Sequence, residues 1–199
     1  MTQSDLKAKL SQIKIFSIQD IFTIDPDFQM NTLYDWEKKD LVVKLRNKRY
    51  LFADFLPSKL DLYYIANKLY SPSYISLESA LSYYGIIAEN SNKITSISTN
   101  KTLAIDTKFG IFEYKIIDEK FFFGYEIKPV GNNKYNLASL EKAIIDFCFI
   151  NPNISSFADL ESLKVNLKLL KEKLDLIKIK VLLNQIKNEV FIERMKFIF

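Results

Sequence analysis

Histidine is absent from the 199 residues. Without an imidazole there is no Ser-His-Asp or Cys-His relay and no histidine-bound metal. Cysteine occurs once, as Cys148, so an internal disulfide and a thiolate zinc cluster are both excluded. Cys148 stands in the apolar run 143–150, where a buried, inert thiol is expected. Only four glycines are present, and neither GxGxxG nor GxxxxGK(S/T) occurs, which removes the familiar phosphate-cradling loops. No apolar run approaches the ~20 residues of a membrane-spanning helix. The opening residues, Met1 to Lys7, lack the apolar stretch of a secretory leader. These absences predict a cytoplasmic chain that holds no cofactor and no metal and makes no membrane contact.

What remains is the composition of a globular protein. Hydrophobic residues make up 48% and charged residues 26% of the chain, enough apolar surface for a core in one large or two small domains. The net charge of +4 is unevenly spread. Residues 38–49 hold Lys38, Lys39, Lys44, Arg46, Lys48 and Arg49 against Asp40 alone, whereas residues 59–159 are close to neutral. A short basic block on a neutral body points to a local anionic partner.

The block lies in a recognisable order of elements. Leu6, Leu10 and Ile13 have helical spacing, which predicts a helix over 4–13. Ser17 is placed to cap a second helix, 18–23, with Asp20 three positions on. After the turn Asp25-Pro26-Asp27 a third helix is expected over 28–39, with Leu33 and Trp36 inward and Asn31, Thr32, Asp35, Lys38 and Lys39 outward. The period then changes to two. Val43 and Leu45 alternate with Lys44 and Arg46, Asn47-Lys48 forms a two-residue turn, and 49–53 returns. Three short helices and a basic hairpin predict a winged helix-turn-helix, whose third helix enters the major groove of double-stranded DNA and whose hairpin meets the backbone. Lys44, Arg46, Lys48 and Arg49 would neutralise phosphates at the hairpin tip. Asn31 and Thr32 would reach base edges or phosphates.

Pro57-Ser58-Lys59 marks the expected boundary between a DNA-binding domain, 1–57, and a second domain, 58–199. The second opens on a helix, 60–69, followed by the segment PSYISLESALSYYG, 72–85. There Ser76 is an expected N-cap, Glu78 lies in the first turn, Gly85 closes the helix, and Ser79 and Ala80 permit close packing. Strands are expected over 93–99, 103–107, 111–117, 122–128 and 134–137. Ser139 then caps a helix over 140–150, and 157–199 is expected to be helical. The overall expectation is an α+β chain: a winged helix followed by an α/β domain with a small, mostly antiparallel sheet and C-terminal helices.

Two stretches in this order, Ser73-Tyr-Ile-Ser-Leu-Glu-Ser-Ala-Leu81 and Leu137-Ala-Ser-Leu-Glu-Lys-Ala-Ile-Ile-Asp146, carry a resemblance. With the preceding winged helix, the chain resembles the AbiEi antitoxins, transcriptional regulators of type IV toxin–antitoxin systems. The resemblance covers most of the chain and is weakest after about residue 155. It implies a winged helix that represses its own operon at inverted repeats. It also implies a C-terminal domain that counteracts a nucleotidyltransferase-like toxin, functionally and with or without contact. Tyr74, Ser76, Glu78, Ser79, Glu141, Lys142 and Asp146 are the motif residues that would serve the antitoxin function. They fit close helix packing as well as a partner surface, packing being the simpler account.

Two other classes compete. Asp106, Glu113 and Lys115 spell D-x6-E-x-K, a metal-dependent nuclease pattern if Phe109-Gly110 is a turn that sets the carboxylates opposite each other; the alternating apolar residues fit an ordinary hairpin better. A ligand-sensing repressor, with a metabolite site in the second domain, is the other alternative. Leu176, Ile179, Leu183, Ile186, Val190 and Phe197 fall at heptad a and d spacing. Core packing explains that spacing too, so the expectation is a free monomer that pairs on DNA.

Overall fold

The computed structural model describes residues 1–10, 13–88 and 92–199. The first part begins with α1 (Gln3–Lys9), β1 (Phe16–Ser17), α2 (Ile18–Ile24) and α3 (Met30–Lys38). It closes with β2 (Val42–Lys44) and β3 (Arg49–Phe52). Thr2 and Ser17 cap α1 and α2 by one device: each hydroxyl accepts the amide three residues on, and the Asp there accepts the cap's own amide. Two otherwise orphaned donors are thereby satisfied at each helix start. The strands form an antiparallel sheet in the order β1-β3-β2. At the hairpin tip Asn47 and Lys48 have φ of 58° and 54°, as a left-handed turn requires, but Lys44 pairs with Tyr50, so the connection has three residues, Arg46 to Lys48, rather than the expected two. Leu45 donates its amide to the Arg49 carbonyl at 2.7 Å to close it. Leu6, Leu10, Phe16, Ile21, Leu33, Trp36, Val42 and Tyr50 build a small core among these elements.

The hairpin has two apolar faces, which the expected alternation missed. Val42 enters the small core, whereas Val43 and Leu45 pack with Ile15 and Leu51 against the larger one. Two polar contacts accompany this packing. Lys14 pairs with Asp61, and Asn47 Nδ2 donates to the Leu69 carbonyl at 3.1 Å.

The second part starts with α4 (Lys59–Leu69), capped reciprocally by Ser58 and Asp61. There follow β4 (Ser73–Ile75), α5 (Leu77–Tyr83), β5 (Lys93–Ser98), β6 (Leu103–Thr107), β7 (Gly110–Ile116), β8 (Tyr125–Val130), β9 (Asn133–Ala138) and α6 (Leu140–Ile150). The sheet corrects the expected small, mostly antiparallel one. It has six strands in the order β6-β7-β5-β4-β9-β8, and β5–β7 and β4–β9 are parallel. β4 and β5 lie centrally and are buried along nearly their whole length, as strands covered on both faces must be. The registers place Tyr114 and Tyr74 on opposite faces. Tyr114 donates to the Ala66 carbonyl of α4, and Tyr74 donates to Asp146 of α6, so these two helices cover opposite sides.

The C-terminal stretch is not one long helix. It folds as α7 (Phe157–Ser162), α8 (Leu167–Lys173), α9 (Leu176–Ile186) and α10 (Glu189–Arg194), then a short 3-10 turn. Lys187, at φ 50°, stops α9. The heptad seam therefore breaks. Ile179, Leu183 and Ile186 are buried in the large core, while Leu176 and Val190 are 43% and 83% exposed. No helix among the described residues is long and apolar enough to cross a membrane.

Candidate nucleic-acid interface

Helix α3 buries Leu33 and Trp36 and presents the opposite stripe to solvent. Asn31, Tyr34, Asp35 and Lys38 are all exposed, and their spacing of three, four and seven residues sets them in one row. Thr32, expected beside Asn31, is half-buried at the edge of this row, and Lys39 lies beyond the helix as its C-cap. Tyr34 is the residue that sequence reasoning left out, although its place three residues after Asn31 was a sufficient signal.

Tyr34 also links the helix to the hairpin. With Ile18, Phe22 and Met30 below, it lines a groove of about 350 Å³ together with Lys44, Lys48 and Tyr50. Lys44 lies 3.9 Å from Glu37, an exposed pair that restrains it only weakly. Arg46 and Lys48 are exposed at the turn. Burial, then Glu37 and Tyr34 nearby, raises the Tyr50 phenol above its ordinary range, so it stays neutral at the groove floor. Arg49 departs from the expected cluster at the tip. It lies on β3, half-buried, with its guanidinium 4.0 Å from Asp20. The structure thus brings Asn31, Tyr34, Asp35 and Lys38 together with Lys44 and Lys48, and sets Arg49 to one side.

The motif residues of the second part converge elsewhere. Asp146 of α6 accepts from Tyr74 Oη at 2.9 Å, from Ser76 Oγ at 2.8 Å and from Lys142 Nζ at 2.5 Å. Both ions of the pair are 0% exposed. Burial pushes the Asp146 carboxyl up, against the opposing pull of Lys142 and the two hydroxyls. The Lys142 ammonium lies 4.9 Å from the Phe123 ring centroid, and Gly124, at φ 76°, lets the backbone close on the lysine stem. Ser76 occupies the expected N-cap position of α5, but its hydroxyl makes no cap hydrogen bond and goes to Asp146 instead. Ser79 exchanges hydrogen bonds with Thr95: its hydroxyl accepts the Thr95 amide and its amide donates to the Thr95 hydroxyl. Glu141 is buried beside Lys178, 3.0 Å away. Of the seven motif residues only Glu78 has appreciable exposure. The motifs thus form a knot that joins β4, α5 and α6.

The D-x6-E-x-K residues lie in a different register from the one expected. Lys108-Phe109 is the turn, so Asp106 stands opposite Ile111 and Glu113 opposite Ala104. Glu113 is held by Lys93 and Lys115, each at 2.6 Å. No group of three or more acidic or cysteine side chains suited to a metal occurs among the described residues.

Compared with models of protein families and with curated proteins, the chain matches none of them.

Proposed function

We propose that the first 57 residues are a winged-helix DNA-binding domain and that the chain is a repressor of its own operon. One observation carries the reading: an exposed polar row on α3 lies beside two lysines of a short basic hairpin. In a winged helix those two elements are the ones that meet DNA, the helix in the major groove and the hairpin on the backbone. Lys38, Lys44, Arg46 and Lys48 supply charge for phosphates. Asn31 and Asp35 supply groups that pair with adenine and with cytosine N4. The test is a gel shift on the DNA upstream of the gene, at two salt concentrations. A retarded band that outcompetes scrambled DNA is expected; no retardation at low salt would sink the reading.

The antitoxin role rests on the resemblance of the two motifs. Their burial assigns them to building the domain, which leaves its outer surface to act against a nucleotidyltransferase-like toxin. Co-expression with a toxin gene encoded next to this one tests it: rescue of growth is expected, and continued arrest speaks against it.

A further inference from the structure

The large sheet ends in two outer strands, β6 and β8, and they are finished differently. In β8 the two-residue turn after Val130 sets Val130 and Lys128 in bonded pairs with β9, so Pro129 faces outward. A proline there removes a donor and blunts the edge. β6 contains no proline, and its single charge is Asp106. β7 sends the amides of Ile111 and Ile117 to the β5 side and the amide of Ile116 to Thr102. Its even-numbered residues therefore bond β6, where Phe112 and Tyr114 oppose Ile105 and Leu103. Ala104 and Asp106 are left with amides and carbonyls aimed away from β7. Both residues are exposed, and no strand among the described residues pairs with their outward side.

Open donors and acceptors along a strand edge select another strand. We propose that the occupant is a second copy of this chain, its β6 antiparallel to the first about a two-fold axis at Ile105. In that register Ala104 of each copy meets Asp106 of the other, so the outward groups of both strands are bonded. Shifted one way, Asp106 would face its own copy, and like charges directly opposite repel. Shifted the other way, it would face Thr102, outside the strand. On the other face Ile105 would meet Ile105, and Leu103, packed on the large core, would meet Thr107. The core would thus run on across the seam. A stable interface needs roughly 1,200–2,000 Å², more than a five-residue strand covers. The contact is therefore weak between free copies and counts once DNA holds two of them side by side. The role of DNA rests on the proposed function; the contact itself does not.

The experiment traps the contact without DNA. Ala104→Cys and Asp106→Cys are made singly in the full chain; both positions are exposed, and the native Cys148 is buried. In a bonded antiparallel pair the Cα atoms stand about 5.5 Å apart, within reach of a disulfide, whereas like positions lie a diagonal step of about 7–8 Å away. Mild oxidation of the concentrated mixture is expected to give about tenfold more disulfide dimer than oxidation of either variant alone. Excess unmodified chain should suppress that dimer, and excess Ala104→Pro chain, which lacks an outward amide, should not. If Ala104→Pro fails to fold by circular dichroism, the comparison of the mixture with the single variants decides alone. No dimer, equal yields from the mixture and the single variants, or a folded Ala104→Pro chain that competes as well as the unmodified one would each overturn the proposal. None of these outcomes depends on whether the α3 row binds DNA.

Discussion

Tyr34 is 45% exposed between the α3 row and the lysines of the hairpin. A ring so placed offers an apolar face to a thymine methyl and a hydroxyl to a phosphate. Tyr34→Ala is expected to weaken binding to operator DNA by about 1 kcal/mol more than binding to scrambled DNA, measured by competition gel shift. An equal loss on both would make it a backbone contact. The buried Lys142–Asp146 pair has a different kind of consequence. Removing one partner leaves an uncompensated charge, so Lys142→Met should cost about 3–5 kcal/mol in urea denaturation. The double change Lys142→Met/Asp146→Leu should cost less than either single change. Cys148 is 0% exposed, and burial lifts its thiol to about 12. It should stay unmodified by a thiol reagent at pH 8 in the native state and react once the chain is unfolded.

The elements that local chemistry specifies are those the sequence shows clearly. The Ser17 cap, the place of the turn at Asn47-Lys48 and the helix Leu140–Ile150 after Ser139 all depend on residues within a few positions of one another. What escaped depends on distant partners. β1 and β4 have two and three residues, too few for a period to show. The parallel pairs β5–β7 and β4–β9 join segments whose order no local pattern encodes. Ser76 is the clearest case: everything nearby marks it as a cap, but Asp146, 70 residues on, takes its hydroxyl. The candidate site divides the same way. The exposed face of α3 follows from its own periodicity, while the half-burial of Arg49 depends on the fold around it. At the start of α4, Asp61 links local and distant effects. Burial opposes its ionisation, but Lys14 and Ser58 outweigh that and hold the carboxyl below its usual range. A lowered folded-state value means stability that is present above the unfolded value of about 3.9 and is lost as pH falls through the folded one. Asp61→Asn should therefore flatten the stability profile below about pH 4, measured by thermal melts across pH 2–6. An unchanged profile would show that the cap and the Lys14 pair contribute nothing to acid sensitivity.

For the whole molecule the expected state is a monomer that pairs on inverted repeats. Sedimentation with and without operator tests it. Leu183 is 2% exposed, so a charge there would damage the core rather than a dimer seam. The informative variant is Ile177→Lys/Val181→Lys on the exposed side of α9, which should leave the free protein monomeric and folded. The proposed boundary after residue 57 predicts that fragment 58–199 folds alone. It should melt below the full chain, because Ile15, Leu45 and Leu51 no longer cover its core. The hydrogen bond from Asn47 to the Leu69 carbonyl has a bearing on operator architecture. Together with Val43, Leu45 and Leu51 packed on the large core, it fixes the hairpin to α4, so on the proposed function the part that would read DNA and the body form one piece. Two such pieces on one duplex have no swivel with which to absorb a change of helical phase. One extra base pair between half-sites rotates the second by about 34°, and a pinned pair must lose contacts on one side. Paired binding should therefore be sharply tuned to spacer length, and Leu45→Ser/Asn47→Gly, which removes both the packing and the hydrogen bond at the tip, should broaden that tuning.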